Sequence, residues 1–198
     1  MSNIFIYGDS HAKFSFQNLN CINLHEFSIT MHRIGRDNMI INFNNNMHNL
    51  NSIIIICYGE VDCRCHIQRQ IDLGRNEDDV ICELIDNYFN TIKNNIIVYK
   101  KIIICAIIPT MNQTKYEEIH EPIAHEFPFV GTDEIRVKFT KKMNALLQQK
   151  CIEQNYIYFD PYANYTDEQG CLKYELSDTI CHIKDNTYIL EKIKEYID

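Results

Sequence analysis

The sequence has no long hydrophobic run. Its longest apolar stretches, residues 53–58 and 102–109, fall far short of the roughly 20 residues a membrane-spanning helix needs. It also has no basic segment leading into an apolar one, because Asn3 and Asp9 interrupt the start, so no signal peptide is expected. Basic residues are few. Nineteen Lys and Arg against 27 Asp and Glu leave a formal net charge of −8, which argues against the phosphate-neutralising surface that nucleic-acid binding requires. The one basic cluster, Lys138, Lys141 and Lys142, reads as the solvated face of a helix. No repeat or linker stands out, and the Asn-rich stretch 42–51 reads as a surface loop.

Cysteine is the exception to this scarcity. Nine are present, an odd number, and Cys57 and Cys105 fall inside apolar runs, which points to reduced thiols in a cytosolic compartment rather than a disulfide framework. A chain of 198 residues with 45% hydrophobic and 23% charged residues is sized and composed for one globular domain, 1–198, with one substantial core. Its abundance of Ile, Asn and Lys suggests an AT-rich genome and carries no chemistry.

Short apolar runs bounded by turn residues predict strands at 3–7, 52–58, 101–108 and 156–159, with a weaker one at 21–27. Continuous rather than alternating hydrophobicity marks strands covered on both faces, as in a parallel sheet. Between them, Val80, Ile81, Leu84, Ile85, Tyr88, Phe89 and Ile92 form a stripe at helical spacing. Ile135, Phe139, Met143, Leu146 and Leu147 form another, with Thr132 or Asp133 as its cap, and Ile189, Leu190, Ile193 and Ile197 form a third within 185–197. Helices alternating with buried strands predict a three-layer α/β/α sandwich around a mostly parallel sheet of about five strands, with right-handed crossovers.

In such a sheet, chemistry gathers where the strands end. The first strand runs into Gly8-Asp9-Ser10-His11, and the third into Gly59-Glu60-Val61-Asp62-Cys63-Arg64-Cys65-His66. A last polar cluster, Ser177-Asp178-Thr179-Ile180-Cys181-His182, precedes the final helix. Ser10 is either a helix N-cap or a nucleophile beside the unpaired N–H groups of a helix start. A nucleophile needs a base to take its proton and a carboxylate to fix the base's tautomer, and Asp178 and His182 are close enough for one loop to present both.

Candidate substrate contacts are Asp9, His11, Glu60, Asp62, Arg64 and His66. Each has a plainer reading: a surface residue of the first helical turn for His11, a local hydrogen bond for His66, an ion pair with Glu60 or Asp62 for Arg64. Cys63-x-Cys65-His66, even with Cys181 and His182 added, matches zinc-ligand spacing poorly, and no metal or cofactor is expected. Tyr162 and Tyr165 are placed at the cleft, while Tyr88, Phe89, Phe139, Tyr158 and Phe159 read as core.

These motifs resemble those of the SGNH (GDSL-type) hydrolases over nearly the whole chain. The resemblance implies their flavodoxin-like α/β/α fold. It also makes Ser10 the nucleophile and an oxyanion donor through its backbone, with Asp178 and His182 completing the triad. Gly35, in Met31-His32-Arg33-Ile34-Gly35-Arg36-Asp37, would be a second oxyanion donor. Gly59-Glu60-Val61-Asp62 is similar to the third block, normally Gly-x-Asn-Asp. Here Val61 replaces the asparagine whose side chain donates to the oxyanion, a loss typically worth about 100- to 1000-fold in rate. Arg64 is the expected substitute. Asp178 and His182 are separated by three residues where the family has two, so the extra one is either absorbed by a local bulge or misaligns the carboxylate.

The Gly-Glu-Val-Asp-Cys-Arg-Cys-His and Ser-Asp-x-x-Cys-His segments resemble a subgroup associated with polysaccharide synthesis, which implies a glycan substrate. The expected activity is hydrolysis of an acyl ester on a carbohydrate or small molecule, without nucleic-acid or membrane partners. The alternatives are an acyltransferase using the same residues, and a non-catalytic glycan- or ligand-binding module on a degenerate hydrolase scaffold. The sequence carries no sign of its oligomeric state.

Overall fold

In the computed structural model, which describes residues 3–123 and 127–197, five strands alternate with eight α-helices. The chain runs β1 (Asn3–Gly8), α1 (Ser10–Ser15), β2 (Ile22–Asn23), α2 (Met31–Asp37), β3 (Ser52–Cys57), α3 (Ile67–Asp72), α4 (Glu77–Asn95) and β4 (Lys101–Cys105). It continues through α5 (Gln113–Glu117), α6 (Asp133–Gln154), β5 (Ile157–Phe159), α7 (Tyr162–Tyr165) and α8 (Thr187–Ile197). The strands form one sheet in the order β2-β1-β3-β4-β5, with every neighbouring pair parallel.

The four isoleucines of β3, Ile53 to Ile56, are all fully buried, and pleating sends them alternately to opposite faces. Ile54 and Ile56 join Phe5, Tyr7, Ile102 and Ile104 in a core closed by side chains of α2, α4 and α6, among them Ile34, Leu84 and Met143. Ile53 and Ile55 join Ile6 and Ile103 in a second core, closed by Ala12 of α1 and by Ile189 and Ile193 of α8. The continuous apolar run thus reflects a sheet covered on both sides, each buried isoleucine contributing about 1.5–3 kcal/mol. This is the expected three-layer α/β/α sandwich.

The helix caps follow the sequence: Thr132 Oγ1 accepts from Ile135 N–H at the start of α6, and Asn76 Oδ1 accepts from the N–H groups of Asp78 and Asp79 at the start of α4.

Two strands are shorter than expected by more than one residue. The run at 101–108 stops pairing after Cys105 because the next stretch is tied to α6: Asn144 accepts from Ile107 N–H (2.7 Å) and donates to Ile107 O (2.9 Å). The 21–27 segment keeps only Ile22–Asn23 as strand, although Leu24 and Glu26 still donate to Ile6 O and Gly8 O. The order in which strands are added reverses between β1 and β3, since β2 lies outside β1 and the remaining strands add beyond β3. That is the switch point at which open α/β sheets place their ligands.

Gly8 closes this corner. A Cβ there would stand 2.2 Å from Ala12 Cβ and 2.4 Å from Cys57 O, so only glycine lets α1 turn this tightly against β3.

Candidate active site

Asp9, not Ser10, caps α1: its carboxylate accepts from His11 N–H at 2.8 Å. The N-cap reading of Ser10 is therefore corrected, and its hydroxyl is free for another partner. That partner is His182. Ser10 Oγ lies 2.9 Å from His182 Nε2, and His182 Nδ1 lies 2.7 Å from Asp178 Oδ2. Residues 172 positions apart are brought together because α1 and the loop before α8 cover the same face of the sheet.

The three-residue spacer between Asp178 and His182 is absorbed locally. Thr179 takes a left-handed conformation (φ 69°). Asp178 Oδ1 then accepts the N–H groups of Ile180, Cys181 and His182 at 2.9, 3.0 and 3.0 Å, leaving Oδ2 for the imidazole. Burial alone would raise the Asp178 pKa, but hydrogen bonds from the His182 ring and the backbone hold it at about 2. The carboxylate is therefore ionised and fixed, as a group orienting a base must be. The ring of Phe14, one helical turn beyond Ser10, stacks on His182 at 4.4 Å.

Behind Ser10 lies a buried charged network. His11 Nε2 meets Glu60 Oε2 at 3.0 Å, and Arg64 Nε forms an ion pair with the same oxygen at 3.3 Å. Burial would raise Glu60, but Arg64 and His11 hold it at about 2. Burial opposes protonation of His11, yet Asp9 and Glu60 outweigh it and raise its pKa, while Asp9 itself is raised by burial. Asp9, His11 and Glu60 are 1%, 3% and 2% exposed. All three lie buried beneath Ser10 where the sequence offered them as substrate contacts, and His11 is not a surface residue.

Asp62 is likewise structural: its carboxylate accepts from Met31 and His32 N–H at 2.7 and 3.1 Å, holding the start of α2, and burial lifts its pKa to about 7. His66 is stacked on His32 at 4.0 Å and faces a neighbouring groove rather than Ser10.

The pocket beside Ser10 has a volume of about 190 Å³ and is lined by Phe27, Ser28, Val61, Arg64, Tyr116 and His182, among others. Val61 is at the pocket wall, as the third-block position implies, with no side-chain donor. Arg64 is beside it, lining the pocket while it forms its ion pair with Glu60.

Gly35 is not at this site. It lies inside α2, where a Cβ would meet Asn87 Cβ of α4 at 2.8 Å. Its glycine identity serves helix packing, and it is not placed to donate to an oxyanion. Tyr162 and Tyr165 also lie elsewhere, on other surface pockets.

One set of three potential metal ligands occurs among the described residues: His11, Cys181 and His182, with ligand atoms within 4.8 Å of one another. A soft divalent cation held there would engage the histidine that faces Ser10. Cys63 and Cys65 lie outside this set, and Cys65 Sγ donates to Val61 O.

No family model matches the chain, and no curated protein matches it in sequence. Solved structures do match. A GDSL-like lipase from Bacteroides thetaiotaomicron superposes over 99% of this chain and 87% of its own, with a TM-score of 0.57 at 13% identity. A member of the lipolytic G-D-S-L family from Veillonella parvula superposes over 98% and 97%, with a TM-score of 0.55 at 15% identity. The chain has the fold of GDSL-type lipolytic proteins. The OSK domain of Drosophila Oskar is also similar, over 96% of this chain and 86% of its own, with a TM-score of 0.59 at 12% identity. No helix among the described residues is long and apolar enough to cross a membrane.

On this GDSL-type fold, the residues that sequence reasoning missed are Phe14, stacked on His182, and pocket walls that include Phe27, Ser28, Tyr116 and Phe127. Phe14 had a signal, its position four residues after Ser10 on one helix face. Ser28, with φ 60°, had none, because a left-handed serine is set by the path of the loop and not by its own preference.

Proposed function

We propose that the protein is a serine-dependent ester hydrolase that removes an acyl group from a carbohydrate or other small molecule. The observation that carries this reading is the hydrogen-bonded chain Ser10 Oγ–His182 Nε2–Asp178 at 2.9 and 2.7 Å, open to a pocket. His182 takes the Ser10 proton as Oγ bonds to the ester carbonyl carbon. The tetrahedral oxyanion then collapses, the C–O bond to the alcohol breaks, and the alcohol leaves with the proton from His182. Water, deprotonated by His182, attacks the acyl-Ser10 ester, and the acid departs as Oγ regains its proton.

Ser10 is the first residue of α1, where a backbone N–H lacks an intrahelical acceptor and can donate to the oxyanion. The Arg64 guanidinium at the pocket wall supplies positive charge where the Val61 side chain supplies no donor. The carbohydrate part of the reading rests on the resemblance of the third and last sequence blocks.

The test is labelling with a fluorophosphonate probe together with hydrolysis of p-nitrophenyl acetate. Wild type should show both and Ser10→Ala neither, with an unchanged melting temperature. Well-folded wild-type protein that takes no label would overturn the reading and leave a binding module in its place.

A further inference from the structure

Adjoining the Ser10 pocket is a second groove of about 290 Å³, and Ser28 and Phe127 line both. Its wall is basic, in a chain whose net charge is −8. Arg33 and Arg36 reach it from α2 and Arg69 from α3, with His32 and His66 between them. No carboxylate is among the described residues lining it. The chain's arginines are Arg33, Arg36, Arg64, Arg69, Arg75 and Arg136. Three of them line this groove, and Arg64 lines the pocket it joins.

The local charge is not neutralised from within. Asp37 alone serves both α2 arginines, at 2.8 Å from Arg36 Nε and 3.7 Å from Arg33 Nε. Arg69 has no ion-pair partner among the described residues. Three guanidinium groups thus face one carboxylate. Burial is the main cause that holds the stacked His66 at about 4 and lowers His32; neighbouring cations add to it, while Glu83 opposes the shift at both rings. Both rings are therefore neutral near pH 7 and offer hydrogen bonds rather than more charge.

Guanidinium groups present forked N–H donors matched to the oxygens of phosphate and carboxylate. We infer that this groove binds an oxyanion, a phosphate or a carboxylate, carried by the alcohol portion of the ester that Ser10 attacks. The preferred substrate is then an acylated acidic sugar or sugar phosphate rather than a neutral ester. The inference rests on the hydrolase reading for what happens at Ser10, but the groove's binding of anions can be measured without turnover.

The experiment titrates Ser10→Ala protein calorimetrically with three acetylated sugars: a neutral methyl glucoside, a glucose 6-phosphate and a glucuronate. At least one anionic ester should bind about tenfold or more tightly than the neutral one, the range of a charge-assisted arginine contact. That advantage should shrink between about 20 and about 200 mM salt as screening strengthens. Arg69→Gln or Arg33→Gln in the Ser10→Ala background, with melting temperatures checked, should remove most of it.

In the otherwise wild-type enzyme, the same arginine substitutions should lower the anionic-to-neutral ratio of kcat/KM at least about fivefold, mainly through KM. A preference for the phosphate ester alone or the uronate alone identifies the anion. Equal binding of all three esters, or an advantage that survives both arginine substitutions, overturns the inference. Absence of hydrolysis and probe labelling would instead defeat the hydrolase reading, while the Ser10→Ala titration still decides the groove.

Discussion

On the proposed mechanism, Asp178→Asn should abolish ester hydrolysis while leaving the fold intact, and the structure says why. The carboxylate does two separable things. Oδ1 gathers the N–H groups of Ile180, Cys181 and His182 and so shapes the loop, while Oδ2 alone faces His182 Nδ1. Asparagine retains one carbonyl oxygen for the first task and puts an NH₂ group in place of the second. An NH₂ opposite Nδ1 makes that nitrogen the acceptor, so the imidazole proton moves to Nε2, which lies 2.9 Å from Ser10 Oγ. A protonated Nε2 cannot accept the serine proton.

A tautomer reversal of this kind costs about 10³- to 10⁴-fold in kcat, or roughly 4–5.5 kcal/mol of transition-state stabilisation. Asp178→Ala should add a loss of about 1–3 kcal/mol in folding stability, because it also strips the loop's three N–H groups of their acceptor. The assays are p-nitrophenyl acetate hydrolysis and urea denaturation of both variants. The reasoning fails if Asp178→Asn keeps more than about a tenth of wild-type kcat/KM, or if it unfolds as readily as Asp178→Ala.

Three further outcomes follow from the same geometry. Gly8→Ala forces a Cβ to within 2.2 Å of Ala12 Cβ and 2.4 Å of a backbone oxygen, so chemical denaturation should show a loss of about 1–3 kcal/mol or more, along with reduced fluorophosphonate labelling as the Ser10 corner shifts. Asp62, raised by burial from 3.8 to about 7, keeps its proton when folded but releases it when unfolded between about pH 4 and pH 7. Its contribution to stability is therefore full below about pH 4 and declines as pH rises through 7, with a slope of at most about 1.4 kcal/mol per pH unit. Denaturation midpoints across that range should decline more steeply for wild type than for Asp62→Asn, and parallel profiles would contradict the assignment. Thiol titration with DTNB should find Cys82 reacting first and Cys21 more slowly, with the seven buried cysteines reacting only in denaturant, when all nine thiols become available. Fewer than nine thiols in freshly reduced, denatured protein would contradict the absence of disulfides.

Much of the architecture was legible because its causes are local. The unbroken isoleucines of β3, the helical stripe of α4 and the Thr132 cap of α6 announce a covered parallel sheet, since periodicity and capping act over a few residues. The strand ends were less legible. Whether the run at 101–108 stops at Cys105 depends on Asn144, 37 residues beyond Ile107, and no local pattern encodes that contact.

Ser10, Asp178 and His182 could be nominated by residue type and order, and the motif resemblance placed them in one site. What the sequence determined by itself was the inventory: a buried sheet, a serine at a strand end, a carboxylate and an imidazole in one loop. Tertiary structure decided their standing. It gave the cap to Asp9 and so freed Ser10, turned Thr179 left-handed to absorb the extra residue, buried Asp9, His11 and Glu60 beneath the site, and placed Gly35 in a helix contact. It also gathered Arg33, Arg36 and Arg69 from two helices into one groove. The physical reason is range. Hydrophobic periodicity and capping act over a few residues along the chain, whereas burial, charge and hydrogen bonding depend on neighbours that only the completed fold supplies.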